Sequence, residues 1–323
     1  MTPFSGGAHV TGAAFLKDVP VVALADGTVR LDPTGEDRPV SAHPDGAVLV
    51  ATSDGKVLLT GGDDGLVRSI GADGAVTTIA DAKGKWIDAL ALAPGGAIAW
   101  STGKTVTARD EKGRLRQWQA PSTAQGLAFA PKGYRLAVSH YNGASLWFPN
   151  TETAPEALSW KGSHLDVTWS PDGRFVVTSM QENTLHGWRL PEKADMRMSG
   201  YPSKTRSFCW SHDGQWLATS GADAAIVWPF AAKEGPMGKA PRECGIRPAK
   251  VSRVSFHPGA LVLAIGYEDG FVLLCRLTDG SELLVRKGDV ANGPITAFAW
   301  DRRGARLLFG TDGGAGGILA LPA

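Results

Sequence analysis

Apolar and polar residues alternate over short stretches of the chain, most clearly between Leu165 and Leu190 (LDVTWSPDGRFVVTSMQENTLHGWRL). Val167 and Trp169 each have polar neighbours on both sides, which is the pattern of a half-buried strand. A tight turn is expected at Ser170-Pro171-Asp172-Gly173, because proline fixes one backbone angle and glycine accepts a positive φ. The β-branched and aromatic run after it favours a second strand, and a third follows the next turn. Three such strands cannot bury both faces of their small sheet, so the pattern needs copies of itself on either side.

The same pattern recurs along the whole chain. The residues that align with the glycine of the first turn are Asp18, Gly55, Gly96, Gly133, Gly173, Gly214, Ala260 and Gly304. Successive positions differ by 37, 41, 37, 40, 41, 46 and 44 residues. A period near ~40 residues with four strands per repeat is typical of a β-propeller. The sequence therefore predicts an all-β protein, a single β-propeller domain over residues 1–323 with eight four-stranded blades. Seven blades is the alternative count.

The last repeat lacks a fourth strand of its own. Its strands are predicted near Ile295–Trp300, Ala305–Phe309 and Gly317–Leu321. Thr2–Ser5 stands ahead of the first repeat where a fourth strand would lie, and we expect it to close the ring by pairing with the last blade. Pro3 is tolerated at such an edge position. Closure removes the two unpaired blade faces that an open ring would expose.

Degenerate forms of a known repeat motif mark several of the units. A relaxed Gly-His opening and a closing Trp that has lost its Asp are found at Gly7-Ala8-His9, Gly162-Ser163-His164, Trp147-Phe148, Trp188-Arg189 and Trp228-Pro229. Over nearly its whole length the chain resembles WD-repeat (WD40) proteins, particularly single-domain bacterial ones. The resemblance implies a hydrogen-bonded His–Ser/Thr–Asp–Trp set in a repeat. The nearest match is His164, Ser179 and Trp188 in the fifth repeat, with Glu182 or Asn183 in place of the Asp.

Composition narrows the function classes. Lys and Arg number 33 against 32 Asp and Glu, for a net charge of +1, which argues against a nucleic-acid or membrane partner. Three cysteines do not make a disulfide framework. The sequence shows neither a secretory signal nor an apolar run of membrane-spanning length. These features predict a cytoplasmic protein, and a monomer is the simplest expectation.

Motifs that suggest catalysis or metal binding are weak. Gly103-Lys104-Thr105 leads into a strand, whereas a phosphate-binding loop must open a helix. No two of the seven histidines have the close spacing that presets a metal site, and hydrogen bonds within their own blades are the favoured interpretation. Asp88 and Asp166 are the main acidic residues on the predicted inner strands, without partners for a calcium site or a carboxylate pair. We therefore expect no enzyme activity and no cofactor.

One surface carries the binding prediction. The loops that lead into first strands and the turns between second and third strands emerge on one side of a propeller, which we call the loop face. Aromatic residues there favour a non-catalytic scaffold or adaptor that binds a protein or peptide partner. The alternative is a small-molecule or metal-ion binder that uses His, Tyr and Glu of the same face, and packing of Trp86 and Tyr201 between blades also remains open. The predicted contact residues are Trp86, His140, Tyr141, His164, Gln181, Glu182, Tyr201, Tyr267 and Glu268.

Overall fold

The computed structural model describes residues 1–322, and Ala323, the last residue of the predicted domain, lies outside the described residues. The described chain is almost entirely β-strand, with one short 3-10 helix at Val290–Asn292. All paired strands are antiparallel, and every repeat contributes residues in or just before its first strand to the wall of a central channel. In this part of the chain no helix is long and apolar enough to cross a membrane. The predicted all-β propeller is confirmed.

Repeats one to three each form one four-stranded sheet. In chain order after β1 (Thr2–Ser5), their strands are β2 (Val10–Leu16), β3 (Val19–Leu24), β4 (Thr28–Leu31), β5 (Arg38–Ser41), β6 (Val48–Ser53), β7 (Val57–Gly62), β8 (Leu66–Gly71), β9 (Val76–Asp81), β10 (Ala89–Leu92), β11 (Ile98–Thr102), β12 (Thr105–Arg109) and β13 (Leu115–Gln119).

Repeats four and five share a single six-stranded sheet. Its strands, which are hydrogen-bonded in chain order, are β14 (Gly126–Phe129), β15 (Leu136–Trp147), β16 (Glu156–Trp169), β17 (Phe175–Met180), β18 (Leu185–Arg189) and β19 (Ala194–Met198). The long β15 reverses near Asn142 and Gly143, which have φ values of 66° and 136°. A side chain at Gly143 would collide with the carbonyl oxygen of Leu158, so this close approach requires glycine.

The last three repeats return to separate sheets of four strands. Their strands are β20 (Phe208–Trp210), β21 (Trp216–Thr219), β22 (Ala225–Pro229), β23 (Arg242–Cys244), β24 (Val251–Phe256), β25 (Val262–Tyr267), β26 (Val272–Arg276), β27 (Glu282–Arg286), β28 (Ile295–Trp300), β29 (Arg306–Thr311) and β30 (Ala315–Ala320).

The number of sheets differs from the main prediction. The described strands form seven sheets, six of four strands and one of six, so the predicted eight separate four-stranded blades are not supported. Seven agrees with the alternative count. The difference arises because β15 and β16 continue without a break where the pattern of turns predicts separate strands, and β16 belongs to both repeats four and five.

The predicted closure of the ring is confirmed. β1 pairs antiparallel with β30, and Pro3 lies opposite Gly317 at the edge of the last sheet. The order of this sheet, β1-β30-β29-β28, joins the first strand of the chain to the last repeat. Phe4, 8% exposed, packs into an apolar cluster with Val10 and Leu308, so hydrophobic contacts support the hydrogen bonds.

The hydrophobic core lies between neighbouring sheets. Phe175 of repeat five and Phe230 of repeat six are fully buried and meet edge to face, with ring centroids 5.1 Å apart. Tryptophan indoles also join the inner strands of neighbouring repeats. Each donates its N–H to the preceding repeat: Trp169 to the Ala128 carbonyl (3.0 Å), Trp210 to Thr168 Oγ1 (3.1 Å) and Trp300 to the Ser255 carbonyl (3.3 Å).

Irregular pairing near the start of several first strands shapes the channel. Repeats one, two, five, seven and eight each shift register there, for example between His164 and Asp166 and between Val251 and Arg253. A bulge of this kind re-aims the side chains that flank it. Asp166 and Arg253 therefore occupy the same position in their repeats, and both line the channel.

Candidate interaction surface and central channel

Five of the nine predicted contact residues are exposed on the loop face. Trp86 is 64% exposed and Tyr141 59%, which are high fractions for large apolar rings. Gln181, Glu182 and Glu268 are also exposed. The backbone N–H of Gln181 donates to the Ser163 carbonyl (2.9 Å), so the turn within repeat five lies against the loop that leads into that repeat. In repeat five, the two kinds of loop therefore lie side by side.

A groove of about 330 Å³ brings two of the exposed residues together. We call it the four–five groove, and its walls include Tyr141, Asn142, Trp160, Glu182 and Arg197. The Glu182 carboxylate accepts the backbone N–H of Ser163 (3.0 Å), and the Tyr141 backbone N–H donates to Ser122 Oγ (2.8 Å). These bonds fix the backbone around the groove, while the Tyr141 ring remains in solvent. The groove thus combines the aromatic residues Tyr141 and Trp160 with one acidic side chain, Glu182, and two basic ones, Lys161 and Arg197.

The two predicted histidines are buried. Nε2 of His140 is 2.9 Å from Ser145 Oγ, and its Nδ1 is 2.9 Å from the Tyr141 carbonyl. His164 is fully buried, with Nδ1 2.7 Å from Thr178 Oγ1 and Nε2 3.0 Å from the Trp160 carbonyl. Burial lowers the pKa of both imidazoles, because the charged form loses its solvation. These histidines therefore connect strands and turns by hydrogen bonds and are not available to a partner.

Two predicted tyrosines have the same internal role. Tyr201 is 8% exposed, and its hydroxyl lies 2.7 Å from Thr219 Oγ1 and accepts the indole N–H of Trp228 (2.6 Å). Burial raises the pKa of Tyr201 to about 12. Tyr267 is fully buried and donates to the Gly245 carbonyl, so it links repeats six and seven. The prediction that four of these residues belong to the contact surface is therefore wrong, because each side chain is buried inside the propeller. They are His140, His164, Tyr201 and Tyr267.

The hydrogen-bonded set implied by the family resemblance also needs correction. His164 bonds to Thr178, whereas the predicted Ser179 has a buried hydroxyl with no partner in the described structure. A more complete set lies in repeat two, where His43 contacts both Thr60 Oγ1 (2.8 Å) and the Asp64 carboxylate (2.9 Å). Sequence reasoning missed this set because the repeat has no tryptophan to mark it.

The histidines do not come together around a metal position. Within residues 1–322, no group of three or more His, Cys, Asp or Glu side chains is arranged to hold a metal ion. His140 and His164 direct both ring nitrogens into internal hydrogen bonds. The exposed part of the loop face therefore presents aromatic, amide and carboxylate groups.

The central channel has a volume of about 720 Å³. Asp88 and Asp166, the acidic residues predicted on inner strands, both line it, as do Arg206 and Arg253. Lys204 lies at its wall and donates to Gln181 Oε1 (3.2 Å), which connects the channel to the loop face.

Asp166 and Arg253 have electrostatic environments unlike those of surface residues. Solvent reaches Asp166 through the channel, yet protein surrounds it on the other sides, and this loss of bulk solvation raises the pKa of its carboxyl to about 6. Its hydrogen bond from the Val167 N–H (2.8 Å) and the positive charge of Arg253 act in the opposite direction. Burial lowers the pKa of the Arg253 guanidinium, while Asp166 opposes that change.

Comparison with known proteins agrees with the repeat pattern. The WD40 family model, described as WD domain, G-beta repeat, matches residues 196–228, which include the hydrogen-bonded Tyr201 and Trp228. Periodic tryptophan protein 2 of Saccharomyces cerevisiae is 23% identical over 225 residues, covering 61% of this chain and 22% of that protein. Autophagy-related protein 18 of Schizosaccharomyces pombe is 27% identical over 118 residues, covering 36% of this chain and 31% of that protein. The chain thus spans less than a third of either relative.

The fold has a counterpart among solved structures. The crystal structure of the computationally designed Ika8 protein superposes with a TM-score of 0.80, covering 98% of each chain at 18% sequence identity. At that identity the similarity concerns the fold alone. Taken with the repeats and the match over residues 196–228, the architecture supports a WD-repeat β-propeller family.

Proposed function

We propose that this protein is a non-catalytic cytoplasmic scaffold that binds a protein or peptide partner through the loop face. The four–five groove is the centre of the proposed contact, and the exposed rings of Tyr141 and Trp86 supply its apolar anchors. The observation that carries the proposal is the exposure of these two rings, 59% and 64%, among side chains held by a fixed backbone.

General properties of the fold support this proposal. WD-repeat propellers typically act as protein-interaction scaffolds without catalytic activity, and this chain shares their repeats and fold. Aromatic side chains dominate the binding energy of protein interfaces because they bury a large area at a small cost in conformational entropy. A groove that combines Tyr141 with Glu182 and Arg197 can fix the orientation of a peptide by hydrogen bonds at its rim. The free cysteines, Cys209, Cys244 and Cys275, suit a reducing compartment.

Isolation of the protein with its partner from its native cells tests the proposal. A variant with both Trp86→Ala and Tyr141→Ala should retain at least about tenfold less of a partner that co-purifies in stoichiometric amounts, since anchor residues contribute roughly 2 kcal/mol or more. Its thermal midpoint should match that of the wild type, because neither ring is buried.

The matched control removes apolar surface elsewhere. Leu283 and Leu284 lie on the outer strand β27 and are 52% and 47% exposed. The double variant Leu283→Ala/Leu284→Ala should keep the partner. Equal retention by wild type and the Trp86/Tyr141 variant would show that the partner binds another surface.

A further inference from the structure

The charged residues of the central channel are few and are arranged asymmetrically. At the level of Asp166 and Arg253, the other repeats contribute small or uncharged residues that leave the channel open. These are Gly12, Val50, Ala89, Gly126, Ser207 and Ala297. One residue earlier along the chain, nearer the loop face, Asp88 and Arg206 line the channel. Lys204 adds a third positive charge at the channel wall, and its ammonium group donates to Gln181 Oε1 (3.2 Å). Each level therefore carries one acid and one arginine.

These four charges do not neutralise one another. In the part of the chain that the structure describes, none of the four side chains is within 4.0 Å of an opposite charge, although thirteen pairs of Lys or Arg with Asp or Glu occur elsewhere. Asp166 accepts only the adjacent backbone N–H of Val167, and Arg253 reaches only the carbonyl of Arg206, at 3.5 Å. Asp88 accepts the backbone N–H of Gly103 on Oδ2 (2.5 Å). Each carboxylate therefore keeps acceptor capacity for a ligand, and neither guanidinium is paired with an acid in the described chain.

The signs of the charges are separated around the ring. The two acids come from repeats three and five, whereas the two arginines, like Lys204, come from the neighbouring repeats six and seven. A ligand with only negative charge would be attracted by the arginines but repelled by the aspartates, and a cation would meet the reverse arrangement. A molecule with both charges at its two ends can satisfy both sides.

We propose that the central channel binds a small zwitterion of the amino-acid class, with its carboxylate on Arg206 and Arg253 and its ammonium group on Asp88 and Asp166. The planar guanidinium fork matches a carboxylate in two parallel hydrogen bonds. The ammonium group is a compact donor that suits carboxylate acceptors. A volume of about 720 Å³ lies within the range of small-molecule pockets. The proposal is independent of partner binding on the loop face, because it uses different residues.

Isothermal titration calorimetry with ω-amino acids of increasing length tests this assignment. The probes are glycine, γ-aminobutyrate and ε-aminocaproate, and butyrate and butylamine serve as compounds with one charge only. We expect one of the ω-amino acids to bind at least tenfold more tightly than either single-charge compound, because it alone can engage both sides of the channel.

Substitutions in the channel test separately how the carboxylate end and the ammonium end of the ligand are recognised. Arg253→Gln and Asp166→Asn should each weaken binding of that ω-amino acid at least tenfold. Asp166→Asn should also improve binding of butyrate relative to butylamine, a change in charge preference that altered folding alone would not produce. Arg253→Lys keeps the charge and replaces Arg253→Gln if the latter does not fold. The controls Arg116→Gln and Asp45→Asn change exposed charges outside the channel and should leave the affinity unchanged.

Failure of all three ω-amino acids to bind would overturn the proposal, as would binding no tighter than that of butyrate or butylamine. Unchanged affinity in both channel variants would show that the zwitterion binds elsewhere and would also overturn it. None of these outcomes depends on whether a protein partner occupies the loop face.

Discussion

Repeats two and five each have a buried histidine before the first strand, but the hydrogen-bond partners of the two histidines differ. In repeat two, His43 contacts Thr60 on one side and the Asp64 carboxylate on the other, and its side chain is fully buried. In repeat five, His164 contacts Thr178 and the Trp160 carbonyl and has no carboxylate partner. Both histidines connect the loop before the first strand to the second strand, so the position can be stabilised with or without an acid.

Aromatic packing takes the place of the acid in repeat five. His186 stacks on Trp160 with ring centroids 4.0 Å apart and meets Trp188 edge to face at 4.7 Å. Neither ring nitrogen of His186 has a hydrogen-bond partner in the described structure. Burial, with His164 and Arg197 nearby, lowers the pKa of His186 to about 3. The comparison predicts that the stability of repeat two depends on the Asp64 carboxylate. The stability of repeat five depends instead on His186 remaining neutral.

The largest expected effect follows removal of the acid in repeat two. Asp64→Ala leaves His43 Nδ1 and the Leu66 backbone N–H without their acceptor, so we expect a loss of about 2–3 kcal/mol in the free energy of unfolding. Urea denaturation followed by circular dichroism measures this loss. Asp45→Ala, in the exposed part of the preceding loop, is the control and should have little effect. A loss for Asp64→Ala as small as that of the control would contradict the importance of the acid.

In repeat five we expect a pH-dependent change in stability, intermediate in size between the other two effects. Between about pH 6.5 and pH 3, the unfolded chain protonates His186 while the folded protein does not, so stability falls as the pH falls through this window. His186→Phe keeps an aromatic ring against Trp160 and removes this proton uptake. The thermal midpoint of the variant should therefore decline less steeply from pH 6.5 toward pH 3 than that of the wild type. Parallel curves for the two proteins would show that His186 does not contribute.

The smallest effect on stability is expected at Glu182, which stands in repeat five where the repeat motif would have its Asp. Its exposed carboxylate accepts the Ser163 N–H, and Glu182→Gln should lower the free energy of unfolding by only about 0.5 kcal/mol. The midpoint of urea denaturation measures this change, with the exposed Glu152→Gln as control. A loss as large as that of Asp64→Ala would mean that repeat five also depends on an acid.

Local sequence patterns predicted the strands and the closing segment. Thr2–Ser5 forms the expected strand. It could be predicted because the spacing of the turns shows which repeat has no fourth strand of its own. The sheet count was less predictable, since the continuity of β15 and β16 depends on hydrogen bonds between repeats. The contact residues show the same limit. Tyr141 and Tyr201 are both aromatic residues predicted for the loop face, but Tyr201 is enclosed by Thr219 and Trp228 and Tyr141 is not.

The indole hydrogen bonds between repeats have a spectroscopic consequence. Trp169, Trp210 and Trp300 each report on a different boundary, because each N–H donates to the repeat before it. Separation of one boundary would expose one indole to water and shift its emission to longer wavelength, while the other two kept their environment. The difference in emission between the wild type and a variant with one of these tryptophans replaced by phenylalanine isolates that indole from the other ten. Such differences could therefore reveal which neighbouring repeats separate first when the ring opens.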